Sequence, residues 1–313
     1  MKKVLCFAFA VCLILSAMLF LFGCSENSEP PYSDDVADAA LPTPEETPTP
    51  EETPTPEEKP TPEETPTPDE TPTPEETPTP EEKPTPEETP KIPFEFTLRT
   101  AEIASFGKMQ YWLYSPSDPT ENMPLIVYLH GGSGKGSNPE LITQADGFPQ
   151  YLRDGKLGDV RAYVIIPQLP SSLKGWANAA GAVRALIVQT VSEFRLNKEN
   201  ISLTGHSMGG TGTWNLAQLY PTLFARIAPL SGSIRTTEEN TEILKQIPVR
   251  AFVGSADTIV SPESSEQMIE ELQKAGADAQ IRVFDGADHF SVPSLTYLDE
   301  NIRLVDWLIG IAD

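Results

Sequence analysis

The chain is expected to fold as an α/β protein with a mostly parallel eight-stranded sheet flanked by helices, and three observations carry that expectation. Short apolar runs recur at 125–129, 162–166, 201–204, 227–230, 249–253 and 281–284. Helical stretches at 177–194, 208–220, 261–275 and 295–309 separate most of them. Strands alternating with helices build a mostly parallel sheet covered on both faces, and a strand buried on both faces reads as a continuous apolar run. Upstream, Phe94, Phe96 and Leu98 alternate with polar residues, as do Tyr111 and Leu113. That period of two predicts two antiparallel strands at one edge.

What precedes this region has a different composition. Residues 42–89 are eight hexads of the type Pro-Thr-Pro-Glu-Glu-Thr, with Lys59 and Lys83 in place of threonine and Asp69 in place of glutamate. Proline at this density forbids helix and sheet, so an extended polyproline II spacer is expected, about 150 Å long at ~3.1 Å per residue. The spacer also carries most of the formal charge of −24, so the acidic balance describes a tail more than a folded surface. No basic patch or basic helix is present, which argues against nucleic acid as a partner.

At the amino terminus Lys2 and Lys3 precede an apolar stretch that ends in Leu21-Phe22-Gly23-Cys24. This resembles a bacterial lipoprotein signal, in which Cys24 becomes the lipidated first residue of the mature chain. The alternative is an uncleaved transmembrane anchor. Either places the remainder outside the cytoplasm, tethered to a membrane. The resulting division is a signal at 1–23, a polar tether at 24–41, the linker at 42–90 and a catalytic domain at 91–313. Cys6 and Cys12 fall inside the signal, so neither a disulfide framework nor a thiol for zinc or nucleophilic catalysis remains.

The chemistry gathers around Gly205-His206-Ser207-Met208-Gly209, between an apolar run and a helical stretch. This G-x-S-x-G string in strand–turn–helix context holds a serine in a tight turn, with its Oγ exposed beside the positive end of a helix. Ser207 needs a base. The chain has three histidines: His130 ends the third strand, His206 lies inside the turn, and His289 follows the last strand. His289 is the one on a late loop able to reach over the strand ends. Asp257, on the loop after the next-to-last strand, is the carboxylate placed to orient it. Asp285 and Asp288 are too close to His289 in sequence to approach it easily from behind. The order Ser207, Asp257, His289 is that of the α/β-hydrolases.

An oxyanion needs two fixed N–H donors. One is expected from Met208, after the nucleophile. The other is expected from His130-Gly131-Gly132-Ser133-Gly134, with Gly132 favoured and Gly131 and Ser133 as alternatives. A phosphate-loop reading of Gly134-Lys135-Gly136-Ser137 fails on the spacing of its first glycine and on the position of its serine. Trp176 is expected at the edge of the cleft, where it could stack on an aromatic acyl group or a sugar; a core role is the alternative. Trp214 reads as core. No metal or other cofactor is expected.

Residues 91–313 resemble the compact bacterial esterases of the α/β-hydrolase superfamily, a group that includes feruloyl esterases, acetyl xylan esterases, polyhydroxybutyrate depolymerase-like and dienelactone hydrolase-like enzymes. The segments that carry the resemblance are Pro124 to Gly132, Leu203 to Trp214, Tyr220-Pro221, Phe224-Ala225 and Ala287-Asp288-His289. Dienelactone hydrolases proper use a cysteine nucleophile, where this chain has Ser207. The resemblance implies an ester hydrolase. The short segment 231–248 leaves no room for a large lid domain, which favours an open site and a substrate bulky on one side, such as a polymeric glycan carrying acetyl or feruloyl esters. Two other readings are carried: a serine peptidase of prolyl oligopeptidase type, and a non-catalytic surface-binding lipoprotein. The sequence leaves the oligomeric state open.

Overall fold

A computed structural model of the chain describes residues 94–311, apart from residue 146. The expected signal, tether, linker and lipidation site Cys24 lie outside the described residues.

Eight strands form one sheet. β1 (Glu95–Ile103) and β2 (Gly107–Ser115) pair antiparallel at one edge, as their alternating pattern predicts. They are followed by β3 (Leu125–Leu129), β4 (Tyr163–Pro167), β5 (Ile201–His206), β6 (Arg226–Leu230), β7 (Val249–Gly254) and β8 (Ala279–Phe284). The spatial order is β1-β2-β4-β3-β5-β6-β7-β8. β2 also runs antiparallel to β4, and every later pairing is parallel, so the sheet is mixed, with its first two strands supplying the antiparallel part.

Side chains alternate between two cores, which explains the unbroken apolar runs. In β3, Leu125, Val127 and Leu129 enter one core, and Ile126 and Tyr128 enter the other. α3 (Ala180–Phe194), α4 (Met208–Leu219) and α6 (Glu263–Lys274) cover the first core through residues such as Val183, Trp214 and Met268. The second is closed by α1 (Glu140–Ala145), α2 (Gly147–Arg153), α7 (Val292–Tyr297) and α8 (Leu304–Leu308). Each large apolar side chain fully buried in this way stabilises the fold by roughly 1.5–3 kcal/mol.

One expectation about helices needs correction. The helical stretch over 295–309 is two helices. Between them Asp299 accepts the Asn301 N–H at 2.8 Å, and Arg303 takes a left-handed φ of 49°, which breaks the ladder. The helices α1 and α2 were not anticipated. Pro149 falls in the first turn of α2, where a missing N–H costs nothing. α5 (Glu238–Leu244) is the one helix between β6 and β7, capped by Thr237 Oγ1, which accepts from Asn240 N–H at 3.1 Å.

Parallel strands raise all their carboxyl ends on one edge of the sheet. Ser207 follows β5, Asp257 follows β7, His289 follows β8 and the glycines at 131–134 follow β3, so every expected site segment lies on that edge.

Candidate active site

Ser207 sits between β5 and α4 with φ 59° and ψ −120°, a conformation that costs a side-chain-bearing residue on the order of 1–3 kcal/mol. The turn is held on both sides: Ser207 N–H donates to Leu230 O at 3.0 Å, and Ser207 O accepts from Thr211 N–H at 2.9 Å. Its tightness dictates the flanking residues. A Cβ on Gly209 would stand 1.7 Å from Leu129 O, and one on Gly205 would stand 2.5 Å from the same oxygen. Only glycine lets the start of α4 close onto β3.

Asp257 and His289 are joined by a 2.6 Å hydrogen bond, His289 Nδ1 to Asp257 Oδ2, and both side chains are buried. The other carboxylate oxygen, Oδ1, accepts from the N–H groups of Ile259 and Val260, each at 2.9 Å. Burial pushes the Asp257 carboxyl up. The hydrogen bonds from Val260, His289 and Ile259 outweigh that effect and hold it below the usual carboxylate range. An ionised carboxylate only accepts, so Nδ1 carries the proton, and in the neutral ring Nε2 presents its lone pair.

His206, which sequence reasoning left without a role, ties the serine turn to the His289 loop. Its Nε2 donates to His289 O at 2.9 Å, and the two imidazole rings stand 4.6 Å apart. The structure thus brings together the segments that carry Ser207 and His289. No hydrogen bond joins Ser207 Oγ to His289 among the described residues. Of the rival carboxylates, Asp288 accepts from the N–H groups of Phe290 and Ser291 and so builds the local turn, while Asp285 faces Ser255 Oγ at 3.4 Å.

Past β3 the chain makes a single 3-10 turn, Gly132–Gly134. Lys135 N–H closes it on Gly132 O at 3.2 Å. An added Cβ at Gly132 would meet nothing within 4 Å, so this residue borders open space. Beneath the turn His130 is fully buried. Its Nε2 accepts from Leu169 N–H at 3.0 Å, which leaves Nδ1 to donate to Gly131 O at 2.7 Å. Met208 is the first residue of α4, so its N–H has no acceptor within the helix.

Trp176 is not at the cleft edge. It is 1% exposed, its Nε1–H donates to His130 O at 3.0 Å, and it packs against Gly212 of α4. It offers no face to a ligand, and its place is under the glycine turn. Trp176→Phe is expected to destabilise the protein by about 1–3 kcal/mol, because it removes the buried hydrogen bond to His130 O. A urea midpoint unchanged from wild type would contradict this role. Trp214 is fully buried, as expected of a core residue. Among the described residues, no group of three or more His, Cys, Asp or Glu side chains is placed to hold a metal ion.

The sequence profile of the dienelactone hydrolase family matches residues 170–297, which include Ser207, Asp257 and His289. A carboxylesterase of Arabidopsis thaliana, SOBER1, is 27% identical over 57% of this chain and 89% of its own length. Among solved structures, a thermostable esterase superposes with a TM-score of 0.57 at 24% identity, over 68% of this chain and 62% of that one. A feruloyl esterase module from Clostridium thermocellum, complexed with sinapinate, superposes with a TM-score of 0.52 at 16% identity, over 70% and 87%. At these identities the superpositions speak for the fold alone. With the strand order, they give the chain the α/β-hydrolase fold. The sequence matches support a carboxylic ester hydrolase.

Proposed function

We propose that the chain is a serine esterase working through an acyl-enzyme, with Ser207 as nucleophile, His289 as general base and acid, and Asp257 as the group that orients it. The observation that carries this reading is the buried 2.6 Å bond from His289 Nδ1 to Asp257, beside a serine in a strained turn. Ser207 Oγ attacks the ester carbonyl carbon as its proton passes to His289 Nε2. The carbonyl electron pair moves onto oxygen, where the N–H groups of Met208 and Gly132 receive it. Collapse breaks the bond to the alcohol, which leaves with the proton from Nε2. Water then attacks the acyl-enzyme, giving its proton to His289. His289 returns a proton to Ser207 as the carboxylic acid departs. Through each cycle the Asp257 carboxylate balances the transient imidazolium.

The substrate class we propose is an acetyl or feruloyl ester of a polymeric glycan. Support comes from the 231–248 connection, whose one helix, α5, is too small to cap the site, so a bulky substrate has room. The proposed location agrees: an extracytoplasmic enzyme, lipid-anchored at Cys24 and lifted from the membrane by the proline-rich spacer. Cells expressing the full chain are expected to incorporate a palmitate analogue into it. Cys24→Ser is expected to abolish labelling, whereas equal labelling of both proteins would sink the anchor. The esterase reading is tested by release of 4-nitrophenol from 4-nitrophenyl acetate, with Ser207→Ala as control. A folded protein without serine-dependent turnover would redirect attention to peptides.

A further inference from the structure

The proton-transfer pair is buried, yet its own loops carry two of the most exposed large apolar side chains of the described fold. Phe290, next to His289, is 74% exposed, and Ile259, two residues after Asp257, is 57% exposed. An isolated exposed apolar side chain calls for no explanation. Two of them on the loops that hold the base and its acid do. Nor does Phe290 sit on a loose backbone. Its N–H is held by Asp288 Oδ1 at 3.1 Å, Ser291 N–H by the same oxygen at 2.9 Å, and Ser291 Oγ donates to Asp288 O at 3.0 Å. Its ring stands at 85° to the imidazole with 5.3 Å between centroids. A rigid turn therefore presents an open aromatic surface against the base.

We infer that Phe290 is the specificity element for the leaving alcohol, and that it favours alcohols bearing a ring: a phenol, a benzylic alcohol or the apolar face of a sugar. The reason is positional. His289 gives its proton to the departing alcohol oxygen, so the alcohol half of the ester must lie against the imidazole, where Phe290 is the adjoining surface. The acyl half stays bonded to Ser207 and is not selected there. This inference rests on the esterase reading. It also places the aromatic surface of the site on a residue other than Trp176.

The test keeps the acyl group constant. Benzyl acetate and ethyl acetate form the same acetyl-enzyme, so deacylation is common to both and differences in kcat/KM report the alcohol side. In the full chain, Phe290→Ala is expected to lower kcat/KM for benzyl acetate by roughly 5- to 10-fold, the scale of one aromatic contact, and to leave ethyl acetate within about twofold. The same variant is expected to lose preference for benzyl alcohol over water as acceptor of the acetyl group, because deacylation by an alcohol retraces acylation. Phe290→Leu, which keeps bulk but not the ring face, is expected to fall between. Equal losses on both esters would mean that Phe290 acts through His289, and no loss would remove it from the site; either overturns the inference alone. A wild-type protein that turns over neither ester in a Ser207-dependent way would overturn the esterase reading, and this inference with it.

Discussion

Ser207→Ala protein is expected to lose hydrolysis of 4-nitrophenyl acetate by on the order of 10⁶-fold in kcat, the scale at which a covalent nucleophile acts. The expectation follows from the turn. The serine Oγ is the one oxygen nucleophile that the β5–α4 junction raises beside the first N–H of a helix, and alanine keeps the strained backbone while removing it. A companion variant separates chemistry from strain. Ser207→Gly is equally inactive but adopts φ 59° without a Cβ penalty. After the extra chain entropy of glycine is set against the relieved strain, it is expected to be more stable than Ser207→Ala by about 1 kcal/mol. Serine-independent turnover would remove Ser207 as nucleophile. A glycine variant less stable than the alanine variant would show that the turn stores no strain.

Asp257→Asn is expected to lower kcat by roughly 10⁴-fold, and the structure supplies the reason. Oδ1 of Asp257 is fixed as an acceptor by two backbone N–H groups, so an asparagine keeps its oxygen there and turns its NH₂ towards His289. Nδ1 must then accept, and the ring proton moves to Nε2, the atom that has to receive the proton of Ser207. The same substitution should change acid stability. The carboxyl is held below its usual range in the fold, so its contribution is present above the unfolded value of about 3.9 and is lost as pH falls through the folded value. The difference in urea midpoint between wild type and Asp257→Asn is expected to shrink below about pH 4. A difference constant from pH 7 to pH 3 would deny Asp257 that role, and near-normal kcat would move the acid to another carboxylate.

The strands were legible because burial on two faces imposes continuous apolar runs, and the two edge strands because one-sided burial imposes alternation. The serine turn was legible because tight backbone approach demands glycine at fixed offsets, and its glycines crowd Leu129 O as such a turn requires. Asp257 could be singled out over Asp285 and Asp288 because chain stiffness forbids a residue next to the base from reaching behind it. Contacts fixed by three-dimensional packing were illegible. Trp176 follows β4, and nothing in its neighbours reveals that its indole N–H is taken by His130 O. His206 lies inside the turn with no role legible there, since its partner is a main-chain carbonyl remote in sequence. The break after Tyr297 was hidden for a related reason: an aspartate turn interrupts a run whose apolar spacing still suits a helix.

The His206 bond to the carbonyl of His289 has a consequence for control of activity. Many hydrolytic enzymes are silent until a lid or loop brings the base to the nucleophile. Here the loop that bears His289 is fastened to the turn that bears Ser207, so the two cannot drift apart without breaking a buried bond. On the proposed roles, that bond limits how far the base can move from the nucleophile between turnovers.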